Sequence, residues 1–246
     1  GTKLLGTFCY DARQAVLPIY FVMRVERKGL AAGYWKFQRP KKGVEAEWDP
    51  DDNKYKLYTR YAKDLSGDDI GAWFSFDAAA GEQVEVRLGV SFVSIEGARR
   101  NLEAELSGKT FDQVRAEAEE KWNADLSRIL VEGGTEEEKT VFYTALYHLL
   151  LHPNILQDTD GRYPLMEGDG IGTVPAGHNR YTVFSLWDTY RNVHQLLSLV
   201  YPERQADMLR SMAGKAKERG WLPKWELYGR ETFTLEGDPA TPVLAD

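Results

Sequence analysis

The sequence predicts a chain of mixed class, an antiparallel β-sandwich followed by a helical domain. Three observations carry this. Short runs rich in β-branched and aromatic residues, set apart by turn signals, fill the first hundred positions. Capping signatures and helical periodicity take over after residue 94. Three helical segments with long apolar faces then follow, with little strand signal between them.

The strands come first. Leu4–Tyr10, Pro18–Val25, Ala31–Phe37, Lys54–Ala62 and Ala72–Phe76 have strand composition. Gln83–Val93 has the clearest pattern: Val84, Val86 and Leu88 alternate with Glu85 and Arg87, the period of a half-buried strand. Trp48–Asn53 and Ser66–Asp69 read as loops. Several such strands in series suggest a sandwich over residues 1–94. The chain opens inside a strand pattern, so the expectation is a sandwich without its first strands.

The helices follow. Ser94–Leu106 is helix-prone, and Thr110 with Gln113 forms a capping box before Phe111–Leu130. There Val114, Ala118, Trp122 and Leu126 share one face. Residues 95–134 thus read as a helical linker. Thr135 with Glu138 opens a second capping box, and a helix running through Val141–Leu151 is apolar around much of its circumference until Pro153. A loop runs from Gln157 to Asn179. Phe184–Val200 and Glu203–Lys217 read as two more helices, so 135–246 forms the start of a helical domain.

Bulk properties exclude several classes. The 246 residues carry a net charge of −7 with no basic stripe, which argues against nucleic acid. No apolar run approaches a membrane span. Cys9 stands alone, so no disulfide forms within the chain. Aromatics reach 12% and include seven Trp. Flat aromatic faces suit sugars, although composition alone fits a strand core packed with large residues better. Nucleotide-binding glycine loops, the H-E-x-x-H zinc signature and the G-x-S-x-G nucleophile elbow are all missing. His148 and His152 have the spacing of a helical zinc pair but no suitably placed acidic residue, and the histidines read as partly buried hydrogen-bonding groups.

Two segments hold the chemistry. In Tyr181–Arg191, YTVFSLWDTYR, Trp187 supplies an apolar wall and Asp188 a carboxylate that accepts hydrogen bonds from two neighbouring hydroxyls. On a helix, Arg191 three residues on would orient that carboxylate. A helix cap with Trp187 buried as packing explains the same residues equally well. In Gly220–Asp246, two Trp, three Glu and one Asp lie between Trp221 and Asp238. Glu226 and Glu231 are the acid–base or sugar-binding candidates there, although each taken singly fits an ordinary surface loop better. Asp158–Asp160 and Glu167–Asp169 lack the spacing of a calcium loop and read as solvated.

Together with VFYTALYHLLLHPNILQDTDGRY at 141–163 and YPERQADMLRSM at 201–212, these two segments make the helical half resemble glycoside hydrolase family 92. The strand-rich half fits that family's N-terminal sandwich by order and type. The resemblance implies an inverting, calcium-dependent exo-α-mannosidase with a β-sandwich packed on an (α/α)6 barrel. It implies that Trp187 and Asp188 bind the terminal mannose, with Glu231 near the same pocket, and that mannose-containing glycans are the partners. A periplasmic or secreted location follows from the same source. Inverting hydrolysis needs an acid and a base about 6.5–9.5 Å apart. The family's E-G-N/S-A-W acid motif, its later acidic cluster and its main calcium segment do not occur in this chain. Catalytic residues are therefore expected downstream of Asp246, and the chain resembles the interior of a family member. A carbohydrate-binding protein without catalysis is the second reading, and an interaction protein on an enzyme scaffold the third.

Overall fold

A computed structural model describes residues 2–9, 18–25, 31–36, 48–49, 54–55, 70–166 and 170–245. The chain divides into two compact units, Gly1–Ser107 and Gly108–Asp246. The division falls inside the expected linker 95–134, because its first helix packs on strands and its second belongs with the helices that follow.

The first unit holds β1 (Thr2–Cys9), β2 (Pro18–Val25), β3 (Ala31–Lys36), β4 (Trp48–Asp49), β5 (Lys54–Tyr55), β6 (Ile70–Ser75), β7 (Val86–Ser91) and α1 (Ile95–Leu106). Among the described residues every pairing is antiparallel: β1–β2–β7 form one sheet, while β3–β6 and β4–β5 form pairs. Trp48–Asn53 was expected to be all loop, but its first two residues pair with Lys54 and Tyr55. The expected strand residues beyond Tyr55 and the loop Ser66–Asp69 lie outside the described residues. Ser94 caps α1 by accepting from the Gly97 amide at 2.9 Å.

The alternation expected in β7 holds, but its faces are reversed. Helix α1 covers the face of Gly89 and Ser91, while Val86, Leu88 and Val90 are 52%, 50% and 40% exposed. The reason is the close approach at Gly89. A Cβ there would lie 2.3 Å from the Ala98 carbonyl oxygen and 2.5 Å from Leu102 Cβ. Only a residue without a side chain lets Ala98 and Leu102 pack on the sheet beside Val22.

The second unit opens with α2 (Phe111–Leu126) and α3 (Glu136–Leu149), each with the capping box its sequence predicts. Both helices bury less than their apolar content suggested. No residue of α2 is buried, and in α3 only Leu146 is. The stripe of Phe142, Leu149 and Leu150 packs beside Leu146 on the core, while Val141, Ala145 and His148 face outward. Next come β8 (Asn154–Ile155), β9 (Arg162–Pro164), β10 (Ile171–Thr173), β11 (Tyr181–Thr182), β12 (Phe184–Ser185), α4 (Leu186–Thr189), α5 (Val193–Val200), α6 (Pro202–Arg219), β13 (Trp225–Leu227), β14 (Arg230–Glu231) and α7 (Ala240–Ala245).

Two expectations change here. The segment 157–179 contains the β9–β10 hairpin. The single helix expected over Phe184–Val200 is instead a two-residue strand and two short helices. Phe184 and Ser185 pair with β13, and α4 closes at Tyr190 before α5 restarts after Asn192. Helix α6 follows its signals closely, with Pro202 in the first turn and Gly220 at φ 95° as the C-terminal stop. The core joins Leu146, Tyr181, Phe184, Leu186, Leu197, Tyr201, Met208, Met212, Ala240 and Val243.

Candidate functional site

The site is built around Val183, which connects β11 to β12 at φ 64°. A β-branched residue rarely holds that conformation, so surrounding contacts must enforce it. The buried Glu226 carboxylate does so. It accepts from the Val183 amide at 3.1 Å, from Thr182 Oγ1 at 2.7 Å and from the Gly229 amide. Lys215 Nζ lies 3.1 Å away, and both side chains of this ion pair are fully buried. Burial pushes the Lys215 ammonium down from its usual range, and the Glu226 charge opposes that shift. The ammonium also lies 5.7 Å from the centre of the Phe184 ring. Glu226 is thus a scaffold residue, and no surface loop surrounds it.

Above this cage the chain exposes the Trp187–Asp188 turn. Phe184 and Leu186 are fully buried, Ser185 and Trp187 are half-buried, and Asp188 is exposed. Ser185 Oγ donates to Asp188 Oδ2, which orients the exposed carboxylate. Trp187 Nε1 donates to the Glu236 carbonyl, and its ring meets Tyr190 edge-on at 5.6 Å. Thr189 Oγ1 donates to the Ser185 carbonyl at 3.1 Å and lies 3.0 Å from His194 Nε2. His194 Nδ1 in turn lies 3.0 Å from Gln205 Oε1 on α6. Burial lowers the His194 pKa below its ordinary value, and the hydrogen bond to Gln205 opposes that shift as the imidazole bridges the turn to α6.

Arg191 does not orient Asp188. Helix α4 ends at Thr189, so the three-residue spacing no longer places the two side chains together. Arg191 is exposed and stacks over Tyr190 at 5.6 Å instead. Glu231 is buried, and its carboxylate accepts from the amides of Lys224, Trp225 and Phe233 at 2.8, 3.0 and 3.2 Å. It shapes the β13–β14 hairpin and lines a cavity of about 350 Å³ together with Trp221, Lys224, Phe233 and Asp238. Gly237, which also lines that cavity, packs against Trp187: a Cβ on it would lie 3.2 Å from Trp187 Cζ2. Trp187, Asp188 and Arg191 therefore share one turn, and Glu231 belongs to the neighbouring hairpin.

His148, His152 and the acidic loops correct two further expectations, while His178 and His194 hold the hydrogen bonds expected of buried or half-buried histidines. Helix α3 ends at Leu149, so His152 leaves the face of His148, and both are exposed. His178 Nδ1 lies 3.0 Å from Asp207 Oδ1. Asp158 is buried rather than solvated, and Asp160 pairs with Arg162 at 2.9 Å. Glu167–Asp169 lies outside the described residues. Among the described residues no three His, Cys, Asp or Glu side chains gather as a metal cage. They therefore assign no carboxylate cluster to a calcium ion, whose oxygen ligands also come from backbone carbonyls and water.

Lys215 is the scaffold residue that sequence reasoning missed. The signal was present: Met208, Ser211, Met212 and Lys215 fall on one buried stripe of α6. A lysine on an apolar stripe implies a buried partner.

Comparison with known proteins gives this geometry its family. Residues 97–246 match the model of the glycosyl hydrolase family 92 catalytic domain. A family 92 α-mannosidase of Bacteroides thetaiotaomicron, solved in complex with mannoimidazole, is 32% identical with a TM-score of 0.75; the match covers 94% of this chain and 29% of that one. A family 92 inverting mannosidase of the same organism is 26% identical with a TM-score of 0.77, covering 96% of this chain and 29% of that one. An uncharacterized secreted glycosidase of Arthroderma benhamiae is 27% identical over 182 residues, which is 72% of this chain and 19% of that protein. The chain spans less than a third of the length of each of these relatives. With more than half of its residues inside the family model, the chain belongs to glycosyl hydrolase family 92.

Proposed function

We propose that the whole polypeptide releases terminal α-linked mannose from glycans with inversion, and that this chain supplies part of its sugar-binding surface. One observation carries the reading. The Trp187–Asp188 turn presents an indole and an oriented, solvent-facing carboxylate from a fully buried base. The indole offers an apolar wall and the carboxylate accepts two hydroxyl hydrogen bonds, which suits the edge of a hexose. The match to a mannosidase solved with mannoimidazole supports mannose as that hexose.

In this reading the residues bind and orient. Asp188 holds adjacent hydroxyls, Trp187 packs on the ring, and Arg191 lines the rim. Glu231 fixes the hairpin against which the turn rests, and no residue of this chain is assigned to proton transfer. The proposal places the strands in an N-terminal β-sandwich and the helices at the start of an (α/α)6 barrel. Calcium dependence of the whole enzyme belongs to it too, with no ligand assigned among the described residues. Secretion or a periplasmic location completes it, supported by the secreted relative. Among the described residues no helix is long and apolar enough to cross a membrane.

The test is hydrolysis of an α-mannoside by the full-length protein with and without chelator, following the product anomer by NMR. Release of β-mannose that stops with chelator is the expected result. Release of α-mannose contradicts inversion, and mannose binding without release favours a carbohydrate-binding protein.

A further inference from the structure

The strands that lead into the Trp187–Asp188 turn are too short to fix their own alignment. β12 and β13 meet at two residue pairs, Phe184 with Glu226 and Ser185 with Trp225. A slip by one residue would exchange the faces that Phe184 and Ser185 occupy. Ser185 Oγ donates to Asp188, so the register of this pairing decides where that carboxylate stands. Two pairs are a weak guard against slippage, and the register has to be set by contacts outside the ladder.

The Glu226 side chain makes those contacts. It is fully buried and grips the chain on both sides of the pairing. On one side its Oε2 accepts from the Val183 amide at 3.1 Å and its Oε1 from Thr182 Oγ1 at 2.7 Å, the two residues that lead into β12. On the other side Oε1 accepts from the Gly229 amide, in the turn between β13 and β14. Both places carry backbone that side chains avoid, Val183 at φ 64° and Tyr228 at φ 48°. Strain of this kind persists where surrounding contacts over-determine it. Lys215 Nζ donates to the same Oε1 at 3.1 Å and ties the carboxylate to the buried stripe of α6. A buried ion pair is a poor source of stability, because well-packed apolar residues of similar volume often do as well or better. Apolar residues cannot, however, accept from Thr182, Val183 and Gly229.

We propose that Glu226 is a positioning residue for Asp188: tied to α6 by Lys215, it sets the register of β12 on β13 and so the place from which Asp188 meets the sugar. This rests on the function proposed above for the Asp188 carboxylate.

The test compares two double variants of the full-length protein, Lys215→Met with Glu226→Gln and Lys215→Met with Glu226→Leu. Both remove the buried ion pair, but Gln keeps an oxygen that can accept from the Val183 amide. Kinetics on methyl α-mannoside are measured where circular dichroism shows each variant folded, so that a lower midpoint alone does not reach the rate. The Gln variant should keep kcat/KM within about fivefold of wild type, and the Leu variant should lose about thirtyfold or more. Amide exchange over residues 181–190 should quicken in the Leu variant and stay near wild type in the Gln variant. Equal kinetics in the two variants, whether both fall or neither does, overturn the positioning role. If the Leu variant does not fold, Thr182→Val takes its place, because it keeps the ion pair and removes one of the grips. Its expected loss is about threefold to tenfold, and unchanged kinetics there overturn the proposal. If the wild type releases no mannose, the hydrolase reading fails and the register is read from exchange alone. Faster exchange over 181–190 confined to the variant without the acceptor then upholds the lock, and equal exchange in both variants overturns it.

Discussion

The Trp187–Asp188 turn and the β13–β14 hairpin have the same look in sequence, with carboxylates set among aromatic residues, yet the fold uses them in opposite ways. In the hairpin, the buried Glu226 accepts from Thr182, Val183, Gly229 and Lys215, and the buried Glu231 accepts from the amides of Lys224, Trp225 and Phe233. In the turn, Asp188 is exposed and accepts from the Ser185 hydroxyl. The difference teaches where to look for ligand binding. A carboxylate saturated by its own protein holds the shape of a site, and one left facing solvent can hold a ligand.

The sharpest break of this comparison is at the buried pair. Lys215→Met should destabilise the protein by about 3–5 kcal/mol in chemical denaturation, because it removes one partner of a fully buried ion pair and leaves Glu226 without its cation. Lys215→Met with Glu226→Leu should recover much of that loss, since burying the pair has its own desolvation cost. Equal losses in the single and double variants would show that the pair itself is not the source.

A smaller effect is expected at Glu231. Glu231→Leu leaves three amides without their acceptor and should cost about 1–3 kcal/mol. The variant is expected to lose protection at the Lys224, Trp225 and Phe233 amides in hydrogen exchange. Unchanged exchange there would mean that Glu231 does not hold the hairpin.

The His194 bridge gives a pH dependence. Its folded pKa is lowered from the ordinary 6.5, so the unfolded state takes up its proton first as the pH falls. The contribution is complete above about 6.5 and is lost as the pH drops through the lowered folded value. His194→Gln should remove this part of the acid dependence of the urea midpoint. An unaltered dependence would place the effect on another group.

The smallest effect belongs to Arg191. It is exposed and stacks on Tyr190 without pairing with Asp188. Arg191→Ala should therefore change stability by less than about 0.5 kcal/mol. A larger loss would argue for a contact between the guanidinium and the Asp188 turn.

How much of this was legible depends on the range of the interactions. Local chemistry was readable: the capping boxes at Thr110 and Thr135 and the break between α5 and α6 at Pro202 all act within one turn, whereas the cap at Ser94 was not read. Strand period was readable in β7, but its buried face was not. That face depends on α1 approaching over Gly89, a tertiary event. Phe184–Val200 looked helical because its apolar spacing is helical. The pairing of Phe184 with Glu226 and of Ser185 with Trp225, across about forty residues of chain, outweighed that local preference. The residues of the site were in view, but their division into buried scaffold and exposed binding surface was not. Lys215, the partner that decides the fate of Glu226, lies eleven positions away on another element.

The most direct test of the central claim is Asp188→Ala in the full-length protein, with denaturation midpoint and α-mannoside kinetics measured on the same samples. The account predicts an unchanged midpoint and a loss of about a hundredfold or more in kcat/KM, as expected for a group that positions substrate. Near-wild-type kinetics, or a loss of activity that follows a loss of stability, would contradict it.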